Sequence, residues 1–275
     1  MIARSRAVVG PGGRLAELAC EPPLTLRQVI SAHSGVCALC LVGSAAGPLA
    51  GVDLTLTLEV QPGATATLQA TGAAIAQGRP GGGRSVLRFQ ASVGARGRLS
   101  ADPGPLIVRP GGRVDARVGI RLDPGATVDW RELIVLSEDP RPPGRGPESG
   151  VTVRWEVTRA GRPLLRQVID LTDPAWLRWP GMIAGRRVLA SALLAGPGLL
   201  ARTIVASPTA VAQQLADEAV LVTVLADDAA AAQRQRDELC ACVRAGPRPA
   251  ARPGTTDPAV AGISRRERGR GPAPR

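Results

Sequence analysis

Five cysteines, one histidine and a few carboxylates at inward-facing positions are the side chains of this 275-residue sequence with spacing suited to chemistry. His33, Cys37 and Cys40 form an H-x-x-x-C-x-x-C run, which invites a metal reading. Residues 36–42 (VCALCLV) have the character of a strand, however. Positions three apart on a strand point to opposite faces, so the two thiols are predicted not to converge on one ion and to be free and buried. Cys240 and Cys242 lie late in a predicted helix, where residues two apart diverge by about 200°. His33 is open to two readings, a nickel or copper ligand or a solvated strand-edge imidazole. A single imidazole excludes the H-E-x-x-H zinc motif, and any hydrolase triad would have to be built on His33. All 34 basic residues are Arg, so there is no Schiff-base lysine and no phosphate-loop lysine. No Tyr and a 2% aromatic content also exclude an RNA-binding sheet with stacked aromatics.

Two carboxylates remain. In residues 127–136 the apolar set Val128, Trp130, Ile134 and Leu136 has the same parity as Glu132, so Glu132 is predicted to point with the core-facing residues. An unpaired buried charge is costly, so it must meet an Arg of a neighbouring strand, a polar cavity, water or a metal. The pattern leaves a structural pair and a functional cavity both open. Asp53 follows a Gly/Pro-containing loop, where a carboxylate ordinarily caps the loop with backbone hydrogen bonds.

The elements that must position these residues are mostly strands. In residues 53–71 the apolar residues alternate strictly (Leu54, Leu56, Leu58, Val60, then Ala64, Ala66, Leu68, Ala70) around Pro62-Gly63, which predicts strand, turn, strand. Asp115, Pro124, Gly125, Ala126 and Thr127 repeat Asp53, Pro62, Gly63, Ala64 and Thr65 at an offset of 62. A weaker copy, Leu87, Phe89, Ala91, Gly94-Ala95 and Leu99, stands 31 positions after Leu56, Leu58, Val60, Gly63-Ala64 and Leu68. Three hairpins on one spacing predict a mainly β fold of stacked repeating hairpins, β-helix-like two-layer sheets in which each unit buries its apolar face against the next. A fourth hairpin, 151–158 with 163–171, turns at Ala160-Gly161. After residue 172 the pattern becomes Ala/Leu-rich, and a few C-terminal α-helices are predicted over 183–194, 208–214 and 227–243, with a short buried strand over 219–225.

The charge is uneven. Residues 244–275 carry eight Arg against Asp257 and Glu267, so this tail supplies +6 of the net +11. A Pro/Gly/Arg stretch without apolar periodicity is expected to be disordered, which divides the chain into a β-rich domain, 1–243, with an α/β C-terminal part, and a tail, 244–275. An Arg-rich arm can hold nucleic acid or an acidic partner, which gives a second reading of the chain as a non-enzymatic binding module. The first 14 residues carry charges and glycines where a signal peptide has its apolar region, and residues 31–52 are interrupted by Gly and Pro. The expectation is a cytoplasmic protein with free thiols and no membrane span.

The run Gly43 to Asp53 (GSAAGPLAGVD), followed by the alternating strand and Pro62-Gly63-Ala64, resembles the G-G-x-x-G-G-D, strand, G-A pattern of the urease accessory protein UreD (UreH) family. Asp102-Pro103, Gly125-Ala126, Trp130-Arg131-Glu132-Leu133 and Gly161-Arg162-Pro163-Leu164-Leu165 fall in that family's order and spacing, so the resemblance spans about residues 3–243. It implies a β-rich stack with a few helices and a non-catalytic maturation scaffold. Such a scaffold binds apo-urease, recruits UreF-like and UreG-like partners and passes nickel through its interior, with no tightly bound cofactor. The family's acidic positions fall on Asp53 and Glu132, which become the expected carboxylate contacts of nickel in transit. Weak oxygen ligands suit transit because transit requires release. A membrane or nucleic acid is not an expected partner. The sequence departs from the family at Val52, in Thr71 to Gln77 and at Ser137-Glu138, departures that bear on nickel transfer more than on the scaffold.

Overall fold

A computed structural model describes residues 1–45, 47–79, 81–137, 149–199 and 203–245. In chain order its strands are β1 (Ile2–Gly10), β2 (Arg14–Ala19), β3 (Leu24–Val29), β4 (Val36–Gly43), β5 (Asp53–Val60), β6 (Thr65–Ala70), β7 (Ala74–Ala76), β8 (Ser85–Val93) and β9 (Arg98–Asp102). They continue as β10 (Pro105–Val108), β11 (Arg113–Leu122), β12 (Thr127–Leu136), β13 (Gly150–Arg159), β14 (Arg162–Leu171), β15 (Val188–Ala195), β16 (Ile204–Ser207), β17 (Ala210–Ala216) and β18 (Ala219–Ala226). Helix α1 (Pro174–Arg178) follows β14, and helix α2 (Ala229–Ala245) follows β18.

Two sheets face each other. The first has the order β14-β13-β11-β8-β5-β1-β2 and the second the order β16-β17-β18-β15-β12-β9-β6-β4-β3, with β10 and β7 joined to β12. Strict alternation decides the arrangement: Leu54, Leu56, Leu58 and Val60 of β5 and Ala64, Ala66 and Leu68 beside and on β6 are all buried in the single inter-sheet core. Each fully buried aliphatic side chain there contributes about 1.5–3 kcal/mol relative to exposure.

The stacked, two-layer character of the repeat is as expected, but its units are arches and not hairpins. β5 and β6 belong to different sheets, as do β8 and β9 and also β11 and β12, and each strand pairs in parallel with its equivalent in the next repeat. A strand, a Pro-Gly corner and a second strand read alike in sequence whether the strands pair with one another or cross to the opposite sheet. Leu54 pairs with Leu87 and Leu87 with Ala116, so the 62-residue offset is preserved while the middle copy is displaced by two residues from the expected 31. A shift of two keeps every side chain on its face. The corners stack closely: Gly63 N–H donates to Ala95 C=O at 3.0 Å, and a Cβ at Gly94 would lie 2.7 Å from Pro62 N. The fourth unit, β13 with β14, is a true antiparallel hairpin.

Two predicted helices are strands. Residues 183–194 contain all but the last residue of β15, and residues 208–214 contain most of β17. β15 is buried at every position because its one face meets the inter-sheet core and its other face lies under α2. A strand covered on both faces loses the alternation that distinguishes it from a helix. The strand predicted over 219–225 and the helix predicted over 227–243 are present as β18 and α2, and Asp228 caps α2 by accepting from Ala231 N–H at 2.7 Å. The Arg-rich tail beyond Ala245 lies outside the described residues. Among the described residues no helix is long and apolar enough to cross a membrane.

Candidate functional site

β12 carries Trp130, Glu132 and Ile134 on its inner face and Leu133 on the face under α2. Glu132 is accordingly buried, with 8% of its surface exposed. Its partner is not the Arg of a structural pair but Trp155 on β13 of the opposite sheet, whose indole N–H donates to Oε2 at 3.0 Å. Burial pushes the Glu132 carboxyl up to about 7, and the Trp155 hydrogen bond only partly opposes it. Its β15 neighbour in register is Ser191, and Ser191 pairs in turn with Thr223 of β18, so a polar row crosses the second sheet from Glu132. Trp130 has its buried indole N–H without a hydrogen-bond partner among the described residues.

Glu132 lines the smaller of two adjoining cavities between the sheets. An outer chamber of about 310 Å³ is bounded by the exposed Gly43, Gln77 and Arg109 and by the buried Pro23, Pro48, Leu54 and Leu87. An inner chamber of about 20 Å³ lies against Trp130 and Glu132. The two share Ala74, Leu87, Phe89 and Pro103 in their walls, and the segment Thr71 to Gln77, which departs from the family pattern, lines the outer chamber while Glu132 lines the inner one. An inner volume of this size admits about one water-sized ligand.

Arg236 supports this region from the other side of the sheet. Its guanidinium, 1% exposed, donates to Glu132 C=O at 3.4 Å and Asp102 at 3.3 Å, and its Nε donates to Asp237 at 3.1 Å. Asp102 also accepts from Gly104 N–H at 3.1 Å, and Pro103 and Gly104 form part of the inner wall. One buried arginine of α2 therefore ties the helix to Glu132's strand and to the turn beside it.

Asp53 is not brought to Glu132. It projects from the outer face of β5, in the first sheet, and does not cap its loop through the side chain but pairs with Arg88. That guanidinium holds its carboxyl below the usual carboxylate range. Asp115, its counterpart 62 residues on, is bound likewise by Arg117 at 2.5 Å and Arg154 at 3.1 Å. The repeat thus builds an outer ladder of ion pairs.

Cys37 and Cys40 are free and lie on opposite faces of β4 as expected, but only Cys37 is buried, Cys40 being half-buried on the outer face; Cys240 is buried while Cys242 is exposed. His33 sits exposed in the bend before β4 and not at a strand edge. Among the described residues, no three His, Cys, Asp or Glu side chains are grouped to hold a metal ion. Trp155 and Arg236 went unrecognised in the sequence. The contacts that matter, 23 and 104 residues away from Glu132, depend on which strands and helices meet.

The family model described as "UreD urease accessory protein" matches residues 4–256. The chain is 36% identical over 208 residues to urease accessory protein UreD 1 of Streptomyces griseus, covering 74% of this chain and 75% of the relative. It is 32% identical over 248 residues to urease accessory protein UreD of Parafrankia sp., covering 84% and 83%, and 34% identical over 247 residues to UreD 3 of Streptomyces griseus, covering 86% and 94%. With an almost full-length family match laid over the repeated arches and the Glu132 cavity, the chain belongs to the UreD urease accessory protein family.

Proposed function

We propose that this protein is a non-catalytic urease maturation chaperone of the cytoplasm, a scaffold that binds apo-urease, recruits UreF-like and UreG-like partners and lets nickel pass as cargo along its interior. Family membership supports the maturation role. The observation that carries the route is Glu132, a carboxyl at the inner end of an inter-sheet cavity whose side chain is met by an indole N–H and by no cationic group among the hydrogen bonds described. A carboxyl in that position is free to ionise against a passing divalent cation. One oxygen ligand supplemented by hydroxyls and water holds such an ion weakly enough to release it. Asp53 meets nickel in this reading only from the outer face and only in competition with Arg88. No membrane or nucleic acid takes part.

Partner binding is tested by affinity purification of the tagged full chain co-expressed with urease subunits and UreF-like and UreG-like proteins. Recovery of a complex containing all of them is expected. Recovery of the chain by itself under low salt would contradict the scaffold role.

A further inference from the structure

The chain has one Phe, four Trp and no Tyr, and it places two of those five aromatic residues side by side on its surface. Trp130 and Trp155 are core residues, whereas Trp176 and Trp179 are 51% and 53% exposed, with ring centroids 5.5 Å apart in an edge-on contact of 80°. The backbone that presents them is tightly closed. Asp173 caps α1 by accepting from Ala175 N–H at 2.7 Å, Trp179 N–H donates to Trp176 C=O at 3.1 Å, and Gly185 N–H donates to Leu177 C=O at 2.7 Å. Leu177, between the two indoles, packs into the inter-sheet core. A Cβ at Gly181 would lie 2.6 Å from Trp179 Cη2, so that ring rests directly on the glycine. The pair is therefore held in place before any partner arrives, and little side-chain freedom is left to lose on binding.

The sequence flanking the pair is net positive, although Arg166 is paired with Glu156, so the charge at the pair itself is that of Arg178. Residues 162–187 contain five Arg against Asp170 and Asp173, and both of those carboxylates accept local hydrogen bonds, from Thr172 and from the α1 cap. Asp227, nearby in sequence to α2, is taken by Arg186. Arg178, between the two Trp in the chain, is exposed and makes no ion pair among the described residues. Its charge argues against two occupants. The chain's own Arg-rich tail would add like charge, and a two-fold contact with a second copy would set Arg178 against Arg178.

We propose that Trp176, Trp179 and Arg178 form a docking anchor for a protein partner that presents an apolar groove flanked by carboxylates. Paired Trp with an adjacent Arg is the composition in which interface energy concentrates. The proposal rests on the maturation-complex reading and assigns the surface through which one member of that complex is held.

The test titrates the purified full chain, the W176A/W179A variant and the R178E variant against apo-urease and the UreF-like and UreG-like proteins in turn. For one of these partners W176A/W179A is expected to raise Kd at least about tenfold. R178E is expected to raise it severalfold, by a factor that shrinks as salt increases. The thermal midpoint of R178E should match the wild type because Arg178 is exposed, and that of W176A/W179A should fall by only a few degrees because about half of each indole is already in solvent. Unchanged Kd values for every partner that the wild type binds would overturn the anchor and leave the maturation reading standing, whereas no binding by the wild type would overturn both. A wild-type dimer that W176A/W179A separates in sedimentation equilibrium would assign the surface to a second copy instead. Sedimentation with vesicles of equal parts phosphatidylglycerol and phosphatidylcholine, lost in W176A/W179A, would assign it to a lipid surface. Either result overturns the proposal.

Discussion

Glu132→Gln is expected to make the protein more stable above pH 7 and a poorer maturation factor. The sign follows from the buried carboxyl, which is pushed up to about 7 from an ordinary 4.5. Below the ordinary value both the folded and unfolded chains hold the proton, and Glu132 contributes no pH dependence. Between the two values the unfolded chain ionises first, so stability falls as pH rises. Above the folded value the full penalty is present, roughly 3 kcal/mol for a displacement of this size. Gln is neutral throughout and keeps an oxygen to accept from Trp155 Nε1. Urea unfolding should therefore give similar stabilities for the two proteins near pH 4.5 and a more stable variant at pH 8. The same change removes the ionisable ligand, and activation of urease should slow severalfold while the complex still assembles. A variant less stable than the wild type at pH 8 would make Glu132 a structural residue. A wild-type sequence that keeps a destabilising carboxylate fits a functional demand on that position.

Arg236→Ala should be the more damaging change to the fold. It removes a guanidinium that is 1% exposed and leaves Asp102, Asp237 and the Glu132 carbonyl without that donor. The carboxylates left behind are partly exposed, Asp102 at 28% and Asp237 at 47%, and Asp237 keeps Arg131. The loss therefore comes mainly from the vacated buried stem and the orphaned Glu132 carbonyl and should be about 1–3 kcal/mol. Arg236→Met, which keeps the aliphatic stem packed between α2 and the sheet, should cost less. The urea midpoint of each variant measures the difference, and a loss under about 0.5 kcal/mol for Arg236→Ala would remove the residue from the support of the site. Because Pro103 and Gly104 wall the inner chamber next to Asp102, the Met variant should also change how readily nickel reaches Glu132.

The features legible in the sequence are those fixed by local periodicity. The parity of Val128, Trp130 and Ile134 alone directs Glu132 inward, and the 62-residue repeat alone gives a stacked two-layer β fold, because both depend only on which way successive side chains point. The crossing of each arch to the opposite sheet is not legible, since a Pro-Gly corner serves an arch and a hairpin equally. Nor is β15, whose apolar run is continuous because α2 covers its outer face. Trp155 as the donor to Glu132 follows only once β13 is placed opposite β12, and Arg236 reads as one charge among several on α2 until the helix is docked. The equal standing of Asp53 and Glu132 in the sequence ends for the same reason. Strand pairing puts Arg88 beside one and an indole N–H against the other.

The same complement of urease subunits and accessory proteins, expressed with and without this chain, provides the most direct measurement: the nickel content of the purified urease. Urease made with the chain should carry its nickel, and urease made without it should be expressed in equal amount but largely lack the metal. Nickel content and activity unchanged by the loss of this chain would contradict its role in urease maturation.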